Sequence, residues 1–162
     1  NNAFYDGAKI THQIGSLGFW LGDEGSGGYL GKTLVRAYLL QELPTHLHQA
    51  FQQAYPEINR LEVLDRAYKQ PFPNRYFASF TKFIGQHKQD PYCIQLVRQA
   101  FDLFVTLYVA KHPSATSVPV SFVGSIAWHF SDLLKEVLQM HHLQLGTIVQ
   151  SPMQGLIAYH QS

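Results

Sequence analysis

The segment Leu17-Gly-Phe-Trp-Leu-Gly-Asp-Glu-Gly-Ser-Gly-Gly28 decides how this chain is interpreted. Its second half, residues 22–28, contains four glycines with Asp23, Glu24 and Ser26 between them. Glycine lets a backbone approach a bound group closely and adopt dihedral angles that other residues avoid. Asp23 and Ser26 are favourable helix N-caps, and the apolar residues that follow have helical spacing. The segment therefore predicts an apolar stretch that turns sharply, presents carboxylates and begins a helix. A capped loop without a ligand fits the same composition.

Four segments of the chain resemble one protein family. The segment above is similar to the signature loop of N-acetylglucosamine kinases and of the wider BadF/BadG/BcrA/BcrD ATPase family, within the actin/hexokinase/Hsp70 superfamily. Asn-Asn-Ala-Phe-Tyr-Asp-Gly at 1–7 resembles the hairpin that follows the family's Gly-Thr-Gly-Ser phosphate loop. Val-Ser-Phe-Val-Gly-Ser-Ile-Ala at 120–127 resembles its adenosine motif, and Ser-Pro-Met-Gln-Gly-Leu-Ile at 151–157 resembles the C-terminal end of bacterial members.

The resemblance implies an α/β fold that is half of an actin-like ATPase, with a ribonuclease H-like sheet, flanking helices and a helical insertion. The family's N-terminal phosphate loop and catalytic aspartate have no counterpart in the sequence. We therefore expect residues 1–162 to be the C-terminal actin-like ATPase domain of a longer kinase, with the N-terminal half of the same kinase as its partner. The chain's own pattern of two strands, a block of helices, then strand, helix, strand and helix is typical of an α/β fold with a helical insertion.

The implied activity is that of an ATP-dependent sugar kinase acting on N-acetylglucosamine or a related amino sugar, with ATP and Mg²⁺. Asp23 is expected to accept hydrogen bonds from sugar hydroxyls, since a short carboxylate on a rigid loop can accept two at once. The same resemblance places four further residues in the sugar site: Asn1, Ser16, Leu17 and Gly18. No catalytic residue is expected in this chain, because the general base belongs to the half without a counterpart. Many members carry Gly-Trp-Gly where this chain has Leu17-Gly18-Phe19, so the identity of the sugar stays open.

A second glycine corner is expected to hold the nucleotide. The resemblance implies that Gly124 and Ser125 contact ATP, that Trp128 lines the base, and that Ala78 lies near it. Each has a structural alternative: Ser125 as an ordinary helix N-cap, and Trp128 and Ala78 as core residues. For Asp23 and Glu24 the alternative is a favourable interaction with the helix dipole, worth about 0.3–1 kcal/mol each.

Other patterns point to no further site. Gly31-Lys32-Thr33 matches the end of a nucleotide P-loop, but Ser26 stands where that motif needs glycine. The nine histidines lack the spacing of a zinc site, so surface or cap roles are expected for His46, His48, His141 and His142, and no metal ligand is predicted. Cys93 is expected to be a buried, small apolar residue.

Composition limits the function classes. A net charge of +1 provides no basic field for nucleic acid, and no apolar run is long enough to cross a membrane. The single cysteine fits a reducing compartment, which predicts a cytoplasmic protein. Two alternatives stay open: an ATPase activator of the benzoyl-CoA reductase/2-hydroxyacyl-CoA dehydratase type, and a non-catalytic sugar-sensing module. Homodimerisation also stays open.

Local patterns give element boundaries. Residues 4–10 predict a hairpin with Asp6-Gly7 as its turn, and 118–123 and 143–149 predict strands. Helices are predicted over 26–43, 47–55, 61–68, 74–86 with Asn74 as cap, from 91 after an Asp90 cap, over 126–141, and from 152.

Overall fold

Short strands and helices alternate along the described part of the chain. The structure is a computed structural model and describes residues 2–161, apart from the side chains of Gln154 and Ala158. The strands are β1 (Phe4–Tyr5), β2 (Ile10–His12), β3 (Val120–Val123) and β4 (Leu145–Val149). The helices are α1 (Gly18–Leu21), α2 (Gly27–Leu39), α3 (Thr45–Ala54), α4 (Arg60–Tyr68), α5 (Pro73–Ser79), α6 (Thr81–Gln86), α7 (Pro91–Phe104), α8 (Ser125–His129), α9 (Ser131–Met140) and α10 (Met153–Gln161), with a π-helical segment, Val105–Val109, directly after α7. The predicted order of elements and the mixed α/β class are confirmed.

The predicted hairpin and the Asn59 cap are confirmed, whereas the tight turn predicted at Asp6-Gly7 is wrong. Strands β1 and β2 pair antiparallel with Tyr5 opposite Ile10, so residues 6–9 all belong to the connecting loop, in which Gly7 has φ 100°. The Asp6 carboxylate accepts hydrogen bonds from the amides of Lys9 and Ala8, which lower the pKa of Asp6. Asn59 caps α4 by accepting from the amides of Leu61 and Glu62 at 3.0 and 3.1 Å. The local signal for this cap therefore acts as predicted.

The continuous helix predicted over 74–86 is wrong. Helix α5 begins at Pro73, one residue before the predicted cap, and Phe72 precedes it with φ 58°. Proline suits the first helical position because its φ is fixed and its missing N–H would have no helical partner there. The Phe80 amide bonds to the Phe77 carbonyl three residues back, at 3.1 Å, and the Phe80 side chain is only 2% exposed. Burial of this ring coincides with the break between α5 and α6.

Two other predicted helices are interrupted or end early. The helix predicted over 126–141 is interrupted at Phe130, which has φ −116° and ψ 32° and whose side chain is buried. The helix predicted over 26–43 ends at Leu39, and Gln41 after it adopts φ 59°. One difference occurs at a buried ring and the other at a residue with left-handed backbone angles. Neither feature can be recognised from the neighbouring residues in the sequence.

The chain divides into two compact units. Leu17–Ala100 form one, here called the central unit, and residues 2–16 with 101–161 belong to the other, the terminal unit. The helical block that the sequence places between the hairpin and the later strand is thus a compact body of its own. Its core contains fully buried side chains from several helices, namely Leu30, Leu34, Leu47, Phe51, Phe80, Phe83 and Ile84.

Within the central unit, α2 packs tightly on α5. A Cβ atom added to Gly31 would stand 1.7 Å from the Phe77 carbonyl oxygen, which no real side chain tolerates. The glycine therefore sets the distance between these two helices. What approaches the α2 backbone at Gly31 is a neighbouring helix and not a bound phosphate, which agrees with the rejection of the P-loop pattern.

The terminal unit contains a parallel β3–α8–α9–β4 arrangement. Strands β3 and β4 pair in parallel, with Val120 opposite Leu145 and Val123 opposite Val149. Helix α9 buries Leu134, Val137 and Leu138. The hairpin of this unit is held by Asn2, whose amide donates to the Tyr108 carbonyl at 2.6 Å and accepts from the Ile14 amide at 2.9 Å. None of the described helices is long and apolar enough to cross a membrane.

Candidate functional site

The glycine-rich loop forms a sharp corner between α1 and α2. Three of its residues have positive φ, namely Gly18 at 75°, Asp23 at 74° and Gly25 at 77°. Ser26 is the N-cap of α2, since its hydroxyl accepts from the Tyr29 amide at 3.1 Å. The predicted turn and helix start are confirmed, and of the two candidate caps Ser26 is the one used.

The carboxylate of Asp23 is oriented at this corner. Oδ2 accepts a hydrogen bond from the Ser26 hydroxyl at 2.8 Å, and the Asp23 carbonyl accepts from the Ser26 amide at 3.0 Å. The residue is half-buried, not enclosed in the core. A half-buried carboxylate with one oxygen fixed at a helix start can accept further hydrogen bonds from a polar ligand through the other oxygen.

Glu24 lies beside the first turn of α2. Burial and, second, the negative charge of Glu24 raise the pKa of Tyr29, so the carboxylate lies near that ring. Glu24 is half-buried. Its position fits a role in supporting the loop as well as one in binding.

Lys32 and Phe19 tie α1 to α2 next to Asp23. The Lys32 ammonium donates to the Phe19 carbonyl at 3.0 Å and lies 4.6 Å from the centre of the Phe19 ring. The Phe19 ring in turn stacks on Phe77 at 5.7 Å. The lysine that resembles the end of a P-loop is thus used to hold the loop itself. Sequence reasoning missed this pair, because a separation of 13 residues leaves no periodic signal.

The other predicted sugar-site residues lie on the same stretch of chain. Ser16 and Gly18 are exposed, and the Leu17 side chain is 64% exposed. Leu17 is therefore not a core residue within the described part of the chain. Asn1 lies outside the described residues. The assignment of these residues to a sugar site stays a prediction.

The second glycine corner, before α8, belongs to the terminal unit. Gly124 has φ 140° and ψ 155°, a conformation essentially restricted to glycine, and no described atom lies within 4 Å of the place where a Cβ would stand. Its amide donates to the Val149 carbonyl at 2.8 Å, and its carbonyl accepts from the Trp128 amide at 3.1 Å. The corner is therefore fixed by the sheet on one side and by the first helical turn on the other.

The side chains around Gly124 are accessible. Ser125 is the exposed first residue of α8, where Gly124 is the N-cap, so the structural alternative that Ser125 is an ordinary N-cap is wrong. The Trp128 side chain is 48% exposed, which excludes simple core filling within the described residues. Ala78 is a residue of the central unit, half-buried on α5 where that helix meets Gly31. Its position favours the packing alternative.

Histidine and cysteine positions agree with the structural roles expected of them. His141 follows α9 and pairs with Asp102 at 2.7 Å, and His46 pairs with Asp90 at 2.6 Å. Cys93 is 1% exposed, and burial raises the pKa of its thiol to about 12. Within residues 2–161, no group of three or more His, Cys, Asp or Glu side chains is arranged to hold a metal ion.

Comparison with known proteins identifies a close structural relative. No protein-family model matches the chain, and no curated protein matches it. Among solved structures, the crystal structure of the "Putative N-acetylglucosamine Kinase" from Porphyromonas gingivalis matches with a TM-score of 0.90 and 38% sequence identity. The match covers 98% of this chain and 55% of that protein, so the chain spans about half of its relative's length. The similarity to N-acetylglucosamine kinases inferred from the sequence is therefore confirmed, for a chain that corresponds to just over half of such a protein.

Proposed function

We propose that this chain is the C-terminal, actin-like half of an ATP-dependent sugar kinase that phosphorylates N-acetylglucosamine or a related amino sugar. The observation that carries the proposal is the oriented Asp23 carboxylate on a glycine corner of a chain 38% identical to the Porphyromonas gingivalis protein. A sugar presents hydroxyl donors, and a fixed carboxylate oxygen is a strong acceptor for them. Ser16, Leu17 and Gly18 would line the same wall of the site.

The second glycine corner suits a nucleotide. The open space at Gly124 allows a ribose or a base to rest directly on the backbone, and the accessible Trp128 ring offers a surface on which adenine can stack. Ser125 supplies an exposed hydroxyl beside them. Only the family resemblance assigns Ala78 to the nucleotide site, and its packing beside Gly31 does not support that assignment.

The chemistry would be transfer of the γ-phosphoryl group from ATP to a sugar hydroxyl. Such a transfer depends on positioning the two substrates and on charge stabilisation by Mg²⁺. Mg²⁺ is commonly held by substrate phosphates together with one or two carboxylates. The described residues offer no cluster of three or more metal-ligating side chains, so we assign the ion no ligand in this chain. What the chain contributes is the orientation of sugar and adenosine.

One assay on the full-length protein separates the candidate functions. ADP release is measured with Mg²⁺-ATP alone and with added N-acetylglucosamine, using N-acetylmannosamine, glucosamine and glucose as comparison sugars. We expect release to depend on sugar and to be fastest with an amino sugar. Hydrolysis that ignores every sugar would favour the activator ATPase instead. Sugar binding seen by calorimetry without turnover would favour the sensor.

A further inference from the structure

We propose that Ser26 is a positioning residue for Asp23, holding Oδ2 on the protein so that Oδ1 is the oxygen presented to a sugar hydroxyl. The inference rests on the proposed function, since it assigns Ser26 a role in the sugar site. In the sequence, Ser26 has only the signature of a helix cap. The second role follows from the geometry of its hydroxyl.

The Ser26 hydroxyl has one proton and two acceptor positions. One acceptor position receives the Tyr29 amide at 3.1 Å, and the proton is donated to Asp23 Oδ2 at 2.8 Å. Among the described residues, the hydroxyl forms no other hydrogen bond. The start of α2 therefore fixes Ser26, and Ser26 in turn fixes the carboxylate.

The backbone reinforces the same orientation. The Ser26 amide closes the turn onto the Asp23 carbonyl at 3.0 Å, while Asp23 itself is held at φ 74°. Oδ2 lies 3.6 Å from the place that a Cβ on Gly28 would occupy, so this oxygen faces the start of α2. Oδ1, on the other side of the carboxylate carbon, is left to face away from Ser26.

A carboxylate fixed before the ligand arrives loses less rotational freedom on binding, which increases affinity. We therefore expect loss of the Ser26 donor to raise the KM for sugar about tenfold, with the KM for ATP little changed. Because Ser26 does not touch the reacting atoms, kcat should fall less than kcat/KM.

The test compares three variants of the full-length protein. Ser26→Ala removes both the cap and the donor to Asp23, whereas Ser26→Thr keeps a hydroxyl for both. Asn59→Ala is the matched control, because it removes the N-cap of α4 and neither of the hydrogen bonds of the Ser26 hydroxyl. Losing either cap should lower the free energy of unfolding by a similar amount. Only Ser26→Ala should raise the KM for sugar, and Ser26→Thr should restore it.

A crystal structure of the Ser26→Ala variant shows the orientation of the Asp23 carboxylate independently of any activity measurement. We expect the Asp23 carboxylate to rotate away from α2 in this variant. An Asp23 that keeps its orientation, or an equal rise of KM in Asn59→Ala, overturns the positioning role even if the protein is a kinase. A rotated Asp23 in a protein without sugar-dependent turnover overturns the proposed function and leaves the orienting contact intact.

Discussion

Asp23 occupies a backbone conformation that few side chains adopt. With φ 74° it lies in the left-handed region, where aspartate and asparagine are tolerated better than most residues. The sequence marks this residue as acidic and flanked by glycine. It does not reveal that the carboxylate is held by Ser26, because Asp23 and Ser26 could each have capped the helix alone.

Replacing Asp23 by asparagine tests its predicted contact with sugar. The Asp23→Asn variant keeps the backbone conformation and an acceptor oxygen but loses the charge that strengthens hydrogen bonds to hydroxyls. We expect the KM for sugar to rise about tenfold or more, while the KM for ATP changes less than twofold. Steady-state kinetics of the full-length protein measure both constants, with Glu24→Gln as the neighbouring control. A selective loss of ATP affinity would contradict the assignment.

Asp90 makes the free energy of unfolding of the central unit depend on pH. Burial of the carboxylate opposes ionisation, but hydrogen bonds from His46 and the Tyr92 amide outweigh it, so the pKa of Asp90 is lowered from 3.8. The folded state then binds this proton more weakly than the unfolded state. The resulting stabilisation is present above pH 3.8 and is lost as the pH falls through the lowered pKa.

The Asp90→Asn variant isolates this effect. Asparagine can still accept from the Tyr92 amide but does not titrate, so the variant should lose less stability than the unaltered protein as the pH falls below about 4. Urea unfolding at a series of pH values gives the two curves. Parallel curves across the acid range would show that Asp90 does not carry this dependence.

At the level of elements, glycine in this chain has two different tasks. Gly18, Gly25 and Gly124 supply positive φ at corners, as the sequence suggests. Gly31 instead allows α2 and α5 to touch, and no local pattern distinguishes it from a loop glycine. Helix boundaries show the same division, because the Asn59 cap was readable from the sequence whereas the breaks at Phe80 and Phe130, where buried rings stand, were not.

Gly31→Ala should destabilise the protein even though alanine is the better helix former. The added methyl group would overlap the Phe77 carbonyl and force α2 and α5 apart, at a cost of about 2 kcal/mol or more. Gly85→Ala in α6 is the matched control. Its Cβ meets no described atom within 4 Å, so helix propensity should raise stability by up to about 1 kcal/mol. Urea denaturation measures both, and equal effects of the two substitutions would exclude the packing role.

Across the whole molecule, the two predicted binding groups lie largely in different compact units. Leu17, Gly18 and Asp23 belong to the central unit, whereas Gly124, Ser125 and Trp128 belong to the terminal unit. If sugar and ATP bind to residues of different units, a substitution in one unit should change the KM for one substrate and leave the KM for the other unchanged. The division into two units does not test the prediction that residues 1–162 are one C-terminal actin-like domain, and this stays a prediction.

Trp128→Ala tests the nucleotide side of this division. Because the ring is already 48% exposed, its removal should cost little stability, but loss of a stacked base is worth about 1–3 kcal/mol. We expect the KM for ATP to rise by about tenfold or more while the KM for sugar stays within about twofold. Trp20→Ala removes the chain's other tryptophan, which is 53% exposed in the central unit, and should leave the KM for ATP unchanged. Equal sensitivity of ATP binding to both substitutions would count against stacking on Trp128.

The sequence by itself determined the order of strands and helices, the presence of the N-terminal hairpin, the caps at Asn59 and Ser26, and the similarity to N-acetylglucosamine kinases. These features depend on neighbouring residues, since caps, turns and amphipathic periods are satisfied within a few positions of the chain. Tertiary structure decided that Lys32 holds Phe19, that Gly31 sets the spacing of α2 and α5, and that the predicted helices break at Phe80 and Phe130. The physical reason is that packing distances between helices depend on residues far apart in the chain, and no short-range pattern in the sequence shows which of these residues come into contact.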